Sequence, residues 1–328
     1  MILIIATEKD EAMHGVIDTL RRMGRSDVLW LDLEKAFDEV ILSSRVDEEG
    51  MRWSIQSRER PDLIASPETI TAVYWRRPFS YIGSPFLGIP TSTNLDKVEI
   101  FWSIRWHIES LPACLFPLGH PWVFARAENK HRQMETALKV GFTIPPTLHS
   151  NEPSVLREFI SHQGEVAIKA LRMPAVTATG EVQHARHIAC KSFPAEFLNS
   201  RLSTMQQGQL YCQKAIQRTH DLRITVLPQA TICASIDTTQ LKDNKLDWRE
   251  DSMALPHAIL PVEPAFEEQL RRFLKEMELT AGYFDFAVPA EGPPIFFECN
   301  TNAQWHWLEL RTGYPYAHAI ARELAAPG

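Results

Sequence analysis

Near its C-terminus the chain carries two apolar segments, Tyr283-Phe284-Asp285-Phe286-Ala287-Val288 and Ile295-Phe296-Phe297-Glu298-Cys299-Asn300-Thr301-Asn302, that read as core strands yet hold acids and amides. Side chains alternate along a strand, so Glu298, Asn300 and Asn302 share one face, and Phe297 and Cys299 occupy the other. If the strands pair through a turn over 290–294, Asp285 faces Glu298. Unpaired carboxylates in a core cost several kcal/mol. Mg2+, by contrast, is satisfied by a few carboxylate oxygens, with water and nucleotide phosphates completing its shell. For either strand alone a solvated face is the competing explanation; two in succession point to a metal–phosphate site.

A chain of 328 residues, 45% hydrophobic and 23% charged, is globular and long enough for two or three domains. No apolar run approaches the roughly 20 residues needed to span a bilayer, and Met1–Ala6 is too short and lacks the basic flank of a signal peptide. These features predict a soluble cytoplasmic protein with no membrane association. Cys114, Cys190, Cys212, Cys233 and Cys299 are odd in number and form no Cys-x-x-Cys pair, which predicts reduced, buried thiols. A net charge of −7 leaves no electrostatic footprint for nucleic acid, so an anionic substrate must be held by local basic residues. Among the histidines only His184 and His187 are suggestively spaced, and that signal is weak.

The first third alternates strand and helix: a buried strand at 1–6, an amphipathic helix over 10–24 with Met13, Val16, Ile17 and Leu20 on one side, and strands at 28–33 and 72–75. Gly24 suits a helix C-terminus. A helix over 94–111 follows, giving a small α/β domain with a parallel sheet. No Gly-x-Gly-x-x-Gly fingerprint supports a dinucleotide site here. Arg76-Arg77 at a strand end could meet an acidic ligand, although surface charge is the simpler role. Pro112, Pro117 and Pro121 mark a domain boundary.

Beyond that boundary the pattern predicts a helix over 127–140 ended by Gly141, a strand near Thr147, and a helix over 152–162 capped by Ser150 or Asn151. The strand Glu165–Leu171 carries Lys169, which either reaches solvent or fixes phosphates from a rigid support. Residues 172–187 are polar and suit a lid beside it. Strands at 210–216 and 221–227 follow; the second sets Asp221, Arg223 and Thr225 on one face, where a surface ion pair is the plainest explanation. The long polar stretch 237–252 contains Asp247-Trp248-Arg249-Glu250-Asp251 and reads as a binding loop or a loop anchor. A helix over 264–278 turns Phe266, Leu270, Phe273, Leu274 and Met277 inward, and Tyr314–Ala325 closes the chain as a helix.

The order of these features resembles the ATP-grasp superfamily: a lysine opening a helix, a lysine on a strand, a polar flap, a Gln-bearing strand, Asp-x-Arg, then Asp and Glu-x-Asn. The segments AVYWRRP, AENKHRQMETALKVGFTIPPTL, CQKAIQRTHDLRITV, DWRED and FFECNTNAQWHWLE further resemble the microviridin-type graspetide synthetases, which are ATP-grasp maturases of ribosomal peptides. The likeness spans essentially the whole chain. It implies an α/β (α+β) ATP-grasp fold with an N-terminal α/β pre-ATP-grasp domain at 1–115, a central subdomain with the flap at 116–208, and a C-terminal subdomain with the metal site at 209–328.

The resemblance implies ATP and Mg2+ as cofactors and a precursor peptide, with leader and acidic core, as partner. Lys130 and Lys169 would contact phosphates; Gln213, Lys214, Ala215 and Ile216 would form the hinge against adenine. Asp285, Glu298 and Asn300 would hold Mg2+, with Glu298 bridging two ions. Arg223 would stabilise the transferring phosphoryl group and the substrate carboxylate, Asp221 would orient the nucleophile or an arginine, and Arg249 would bind the substrate's acidic side chain. The family also includes homodimers. Departures are Lys214 where glutamate is common, and Thr301 and Ala303 where proline and glycine are frequent. Other readings are a ligase joining an amino acid to a small molecule or protein tail, and a regulatory protein with a degenerate nucleotide site; the intact acidic and basic set argues against the second.

Overall fold

The computed structural model describes residues 1–76, 95–169, 191–202, 209–239, 241 and 255–326. The apolar run Ile2–Ile5 forms β1, buried along its length. Asp10 then starts α1 (Glu11–Arg22): its carboxylate accepts from the Ala12 N–H, satisfying a helix-end donor. The helix ends before Gly24, whose φ of 83° favours glycine. β2 (Val28–Leu31) is followed by a short α2 (Ala36–Glu39), a hairpin of β3 (Val40–Asp47) and β4 (Gly50–Ser57), then β5 (Ile64–Ala65) and β6 (Ala72–Trp75). β1 lies parallel between β2 and β6, as the sequence pattern predicts. The antiparallel sheet β3–β4–β5 is not predicted, because most of β3 is exposed and polar and carries no clean alternation. α3 (Leu95–Glu109) packs Phe101, Ile104 and Ile108 against Leu3 and Ile5.

After a 3-10 turn at Ala113–Leu115 come α4 (Pro121–Ala127) and α5 (Lys130–Val140). The single helix expected over 127–140 is therefore broken. Asn129 Oδ1 accepts from the His131 and Arg132 N–H groups and restarts the helix at Lys130. β7 (Thr147–Ser150) leads to α6 (Pro153–Gln163), capped by Glu152 rather than by Ser150 or Asn151. β8 (Glu165–Lys169), β9 (Lys191–Pro194), α7 (Ala195–Arg201) and β10 (Leu210–Lys214) follow. The strands make an antiparallel sheet of order β7–β10–β8–β9, so residue 209, the expected domain limit, falls just before a strand of this sheet. Leu148, Val166, Ile168 and Cys212 face α6 and α7. By alternation Thr147, His149, Lys169, Tyr211 and Gln213 share the opposite face.

The remaining strands are β11 (His220–Leu227), β12 (Ala230–Asp237) and β13 (His257–Leu260); then come α8 (Pro264–Glu276), β14 (Gly282–Val288), β15 (Ile295–Asn300), α9 (His306–Thr312) and α10 (Tyr316–Ala325). The sheet order is β13–β12–β11–β14–β15, antiparallel throughout. Phe142, Phe273, Phe284, Phe286 and Phe296 bury one face of it beneath α5 and α8. α10 packs on α1, and both lie over β1. Cys212, Cys233 and Cys299 are buried as expected, Cys114 is exposed at the 3-10 turn, and Cys190 lies outside the described residues.

Gly282 opens β14 where a Cβ would sit 2.6 Å from Leu274 Cδ2 and 2.8 Å from Cys299 Sγ. Gly282→Ala is expected to destabilise the fold by about 1–3 kcal/mol through overpacking; an unchanged urea midpoint would refute this contact. Burial also pushes the pKa of His120, His149 and His257 below the ordinary imidazole value. A lowered folded-state pKa means the unfolded chain takes up protons first. Stability is therefore fullest above about pH 6.5 and is lost as the pH falls through that value. His120 Nδ1 accepts from the Trp122 N–H at the start of α4, a bond that protonation removes. Melting temperature should fall on moving from about pH 7.5 to about pH 5.5, and His120→Asn, a cap that does not titrate, should show a smaller fall.

Candidate active site

β14 and β15 pair with Asp285 opposite Glu298, the register inferred from the sequence. The register then slips by one residue, so Phe286 faces Phe296 and Phe297 is left over as a bulge. This corrects the strict alternation expected: Phe296 joins Cys299 in the aromatic core, and Phe297 instead lies under Lys169, whose Nζ is 4.4 Å from the ring centroid.

Each carboxylate is met by a cation. Arg223, on the neighbouring β11, donates from Nη1 to Asp285 Oδ1 at 2.5 Å. Lys130, opening α5, donates from Nζ to Glu298 Oε2 at 2.6 Å. Asn300 Nδ2 reaches Asp285 Oδ2 at 3.4 Å and Glu298 Oε1 at 3.3 Å. The four charged side chains are only 8–26% exposed. Burial works against the Lys130 charge, but Glu298 and then Glu128 outweigh it and hold the pKa above the ordinary lysine value.

Two carboxylates and an amide that converge on one point suit a hard divalent cation that takes its other ligands from water and phosphate. Among the described residues there is no group of three or more His, Cys, Asp or Glu that could hold a metal ion by itself. The ammonium on Glu298 and the guanidinium on Asp285 already hold positive charge where such an ion would sit.

Tyr211 lies opposite Lys169 in the central sheet. Burial, reinforced by Glu298 and opposed by Lys130, pushes its phenol up to about 12. Gln213 is buried; its Nε2 donates to Thr147 Oγ1 and to Tyr211 Oη, while its Oε1 has no partner among the described residues. The Lys214 N–H is taken by the Pro146 carbonyl and the Ala215 N–H by the Glu165 carbonyl. Both N–H groups are thus already used within the protein. Lys214 is exposed, and Ala215 and Ile216 are half-buried.

Asp221 and Arg223 are buried rather than forming the surface pair considered from sequence. Asp221 accepts from Arg218 Nε at 2.6 Å, so the acid on this face is paired to an arginine the sequence pattern did not single out. Arg223 Nε is buried without a partner among the described residues. Arg76, read first as surface charge, is fully buried: it bonds Asp10 Oδ2 at 3.1 Å, the Ala303 carbonyl at 2.5 Å, and Asn302 and Gln304 at 3.4 Å each, with Trp305 beneath it. Asn302 is thereby drawn toward β6. Arg77, the 172–187 flap, His184, His187 and Arg249 lie outside the described residues. Gln133 and Glu128 escaped sequence inference; the one signal was a glutamine within the apolar stripe Met134, Ala137, Val140 of α5.

Among the described residues no helix is long and apolar enough to cross a membrane. No protein-family model and no curated protein matches the chain. Solved structures do. An ATP-grasp ligase associated with RiPP biosynthesis from Chryseobacterium gregarium, in complex with ADP and a leader and core peptide, matches with TM-score 0.82 and 23% identity over 98% of this chain and 96% of that one. Macrocyclase MdnC from Microcystis aeruginosa, bound with precursor peptide MdnA, matches with TM-score 0.79 and 25% identity over 99% of both. D-cycloserine synthetase DcsG is more distant, with TM-score 0.57 and 12% identity. With full-length agreement on both sides, this chain has the ATP-grasp ligase fold.

Proposed function

We propose that the chain is an ADP-forming peptide ligase of the microviridin type. It activates Asp or Glu side chains of a ribosomal precursor peptide as acyl phosphates and closes ω-ester or ω-amide rings, acting in the cytoplasm. The observation that carries this reading is the Asp285–Glu298 pair with Arg223, Lys130 and Asn300 around it, in a chain that aligns end to end with one ligase in complex with ADP and a leader and core peptide and with a macrocyclase bound with its precursor peptide.

A substrate carboxylate approaching a triphosphate meets like charge, and fixed cations lower that barrier. Lys130, on Glu298, and Lys169, over Phe297 of the same strand, would take phosphate oxygens. Mg2+ held by Asp285, Glu298 and Asn300 would supply further positive charge at the phosphates. Arg223, with Nε unsatisfied, can add a donor for the reacting carboxylate while Nη1 stays on Asp285. Asp221 orients Arg218 beside it. Gln213, with Lys214, Ala215 and Ile216 beyond it, would line the edge where adenine lies; Arg249 is assigned to the substrate's acidic side chain.

In the first step a carboxylate oxygen attacks the γ-phosphorus, the bond to the bridging oxygen breaks, and ADP leaves. In the second, a hydroxyl or amine of the same peptide attacks the acyl carbon, phosphate departs with the bonding pair, and the nucleophile's proton is lost. One ATP is consumed and one water is lost from the peptide per ring. No protein nucleophile is needed.

The test is the intact mass of a candidate leader-bearing peptide after incubation with the protein, ATP and Mg2+. Loss of one or more waters only with ATP is expected, and Glu298→Gln should lower turnover at least about 100-fold in a protein that still folds, with a lowered melting temperature because Lys130 loses its counter-ion. An unchanged peptide together with ADP release driven by free amino acids would replace this reading with a small-molecule ligase.

A further inference from the structure

β15 is an edge strand, yet past its first residues its open edge is met by side chains. β14 covers one edge, and near Ile295 and Phe296 the other edge is met by Thr143, whose carbonyl accepts from the Phe296 N–H at 2.8 Å. Beyond that point three side chains take over. Gln133 bonds both backbone groups of Cys299: Oε1 accepts from its N–H at 3.0 Å and Nε2 donates to its carbonyl at 2.8 Å. Glu128 Oε1 accepts from the Thr301 N–H at 3.1 Å and from its hydroxyl at 2.9 Å. Arg76 donates to the Ala303 carbonyl at 2.5 Å.

The three anchored residues are spaced by two, the interval at which extended chain presents backbone groups to one edge; Cys299 lies in β15, and Thr301 and Ala303 follow its end. A primary amide offers one donor and one acceptor, as a peptide unit does, so Gln133 stands in for a residue of a missing strand. Gln133 and Arg76 are fully buried, a setting that disfavours polar groups unless they are bonded. Between the anchored residues lies Asn300, and just before them is Glu298, directly after the Phe297 bulge that weakens the ladder.

We propose that Gln133, Glu128 and Arg76 are positioning residues. By fixing the backbone of 299–303, they keep Glu298 and Asn300 aimed at Asp285 when a divalent cation displaces the Lys130 ammonium from Glu298. This inference rests on the reading of Asp285, Glu298 and Asn300 as a cation site.

Calorimetric titration of ADP with and without Mg2+ tests it without relying on turnover. In the unaltered protein Mg2+ is expected to tighten ADP binding. Gln133→Met, similar in size but unable to make the paired bonds, should keep metal-free ADP affinity within about twofold and weaken the Mg2+-dependent gain about 10–100-fold, as loss of an outer-shell partner does. Arg76→Lys keeps a charge for Asp10 but cannot span the same contacts; it should weaken the gain in the same direction and decides the matter if Gln133→Met does not fold. A folded variant with lowered melting temperature and an unchanged Mg2+ gain would reduce these residues to structural supports and overturn the inference alone. Absence of any Mg2+ gain in the unaltered protein would remove the cation-site reading and this inference with it.

Discussion

Two acids set side by side in an aromatic sheet would drive their strands apart unless positive charge were supplied at the same depth. Arg223 and Lys130 supply it, from a neighbouring strand and from the first turn of a helix. Much of the architecture serves these two contacts. β11 must lie beside β14 for the guanidinium to reach Asp285, and α5 must begin at Lys130 for the ammonium to reach Glu298. The break between α4 and α5 is part of this arrangement. Asn129 caps α5 there, and Glu128 beside it holds Thr301 and adds to the field on Lys130.

The aromatic cluster beneath does the complementary work. Phe142 touches Phe266, Phe273, Phe286 and Phe296, giving the charged face a rigid floor. Rings at these separations pack edge-on or offset and resist sliding. Small shifts that would misalign the carboxylates are thus opposed from below, while the bulge at Phe297 sends one ring the other way, toward Lys169.

What could be read from the residues was local and periodic. Asp285 and Glu298 in apolar runs, with a turn between them, determined the pairing of β14 and β15, and the stripe of α8 identified its buried side. What could not be read depended on partners distant in the chain. Arg76 looks like surface charge until residues 302–305 fold over it, more than two hundred positions later. Asp221 and Arg223 look like mutual partners, being two apart, but each finds a different ion, Arg218 and Asp285 respectively. The β3–β4–β5 sheet has little buried face to impose a pattern, and the bulge at Phe297 is a register slip that strict alternation does not anticipate.

The packing of α10 on α1, both over β1, joins residues near the start of the sequence to residues near its end. Contacts of such long sequence separation close large loops and form late. Trp305, which lies under Arg76, belongs to the same buried cluster. The surface that β1 and α1 bury is thus supplied by residues about three hundred positions away, so a break at either end of this cluster should loosen the segment around Trp305 as well.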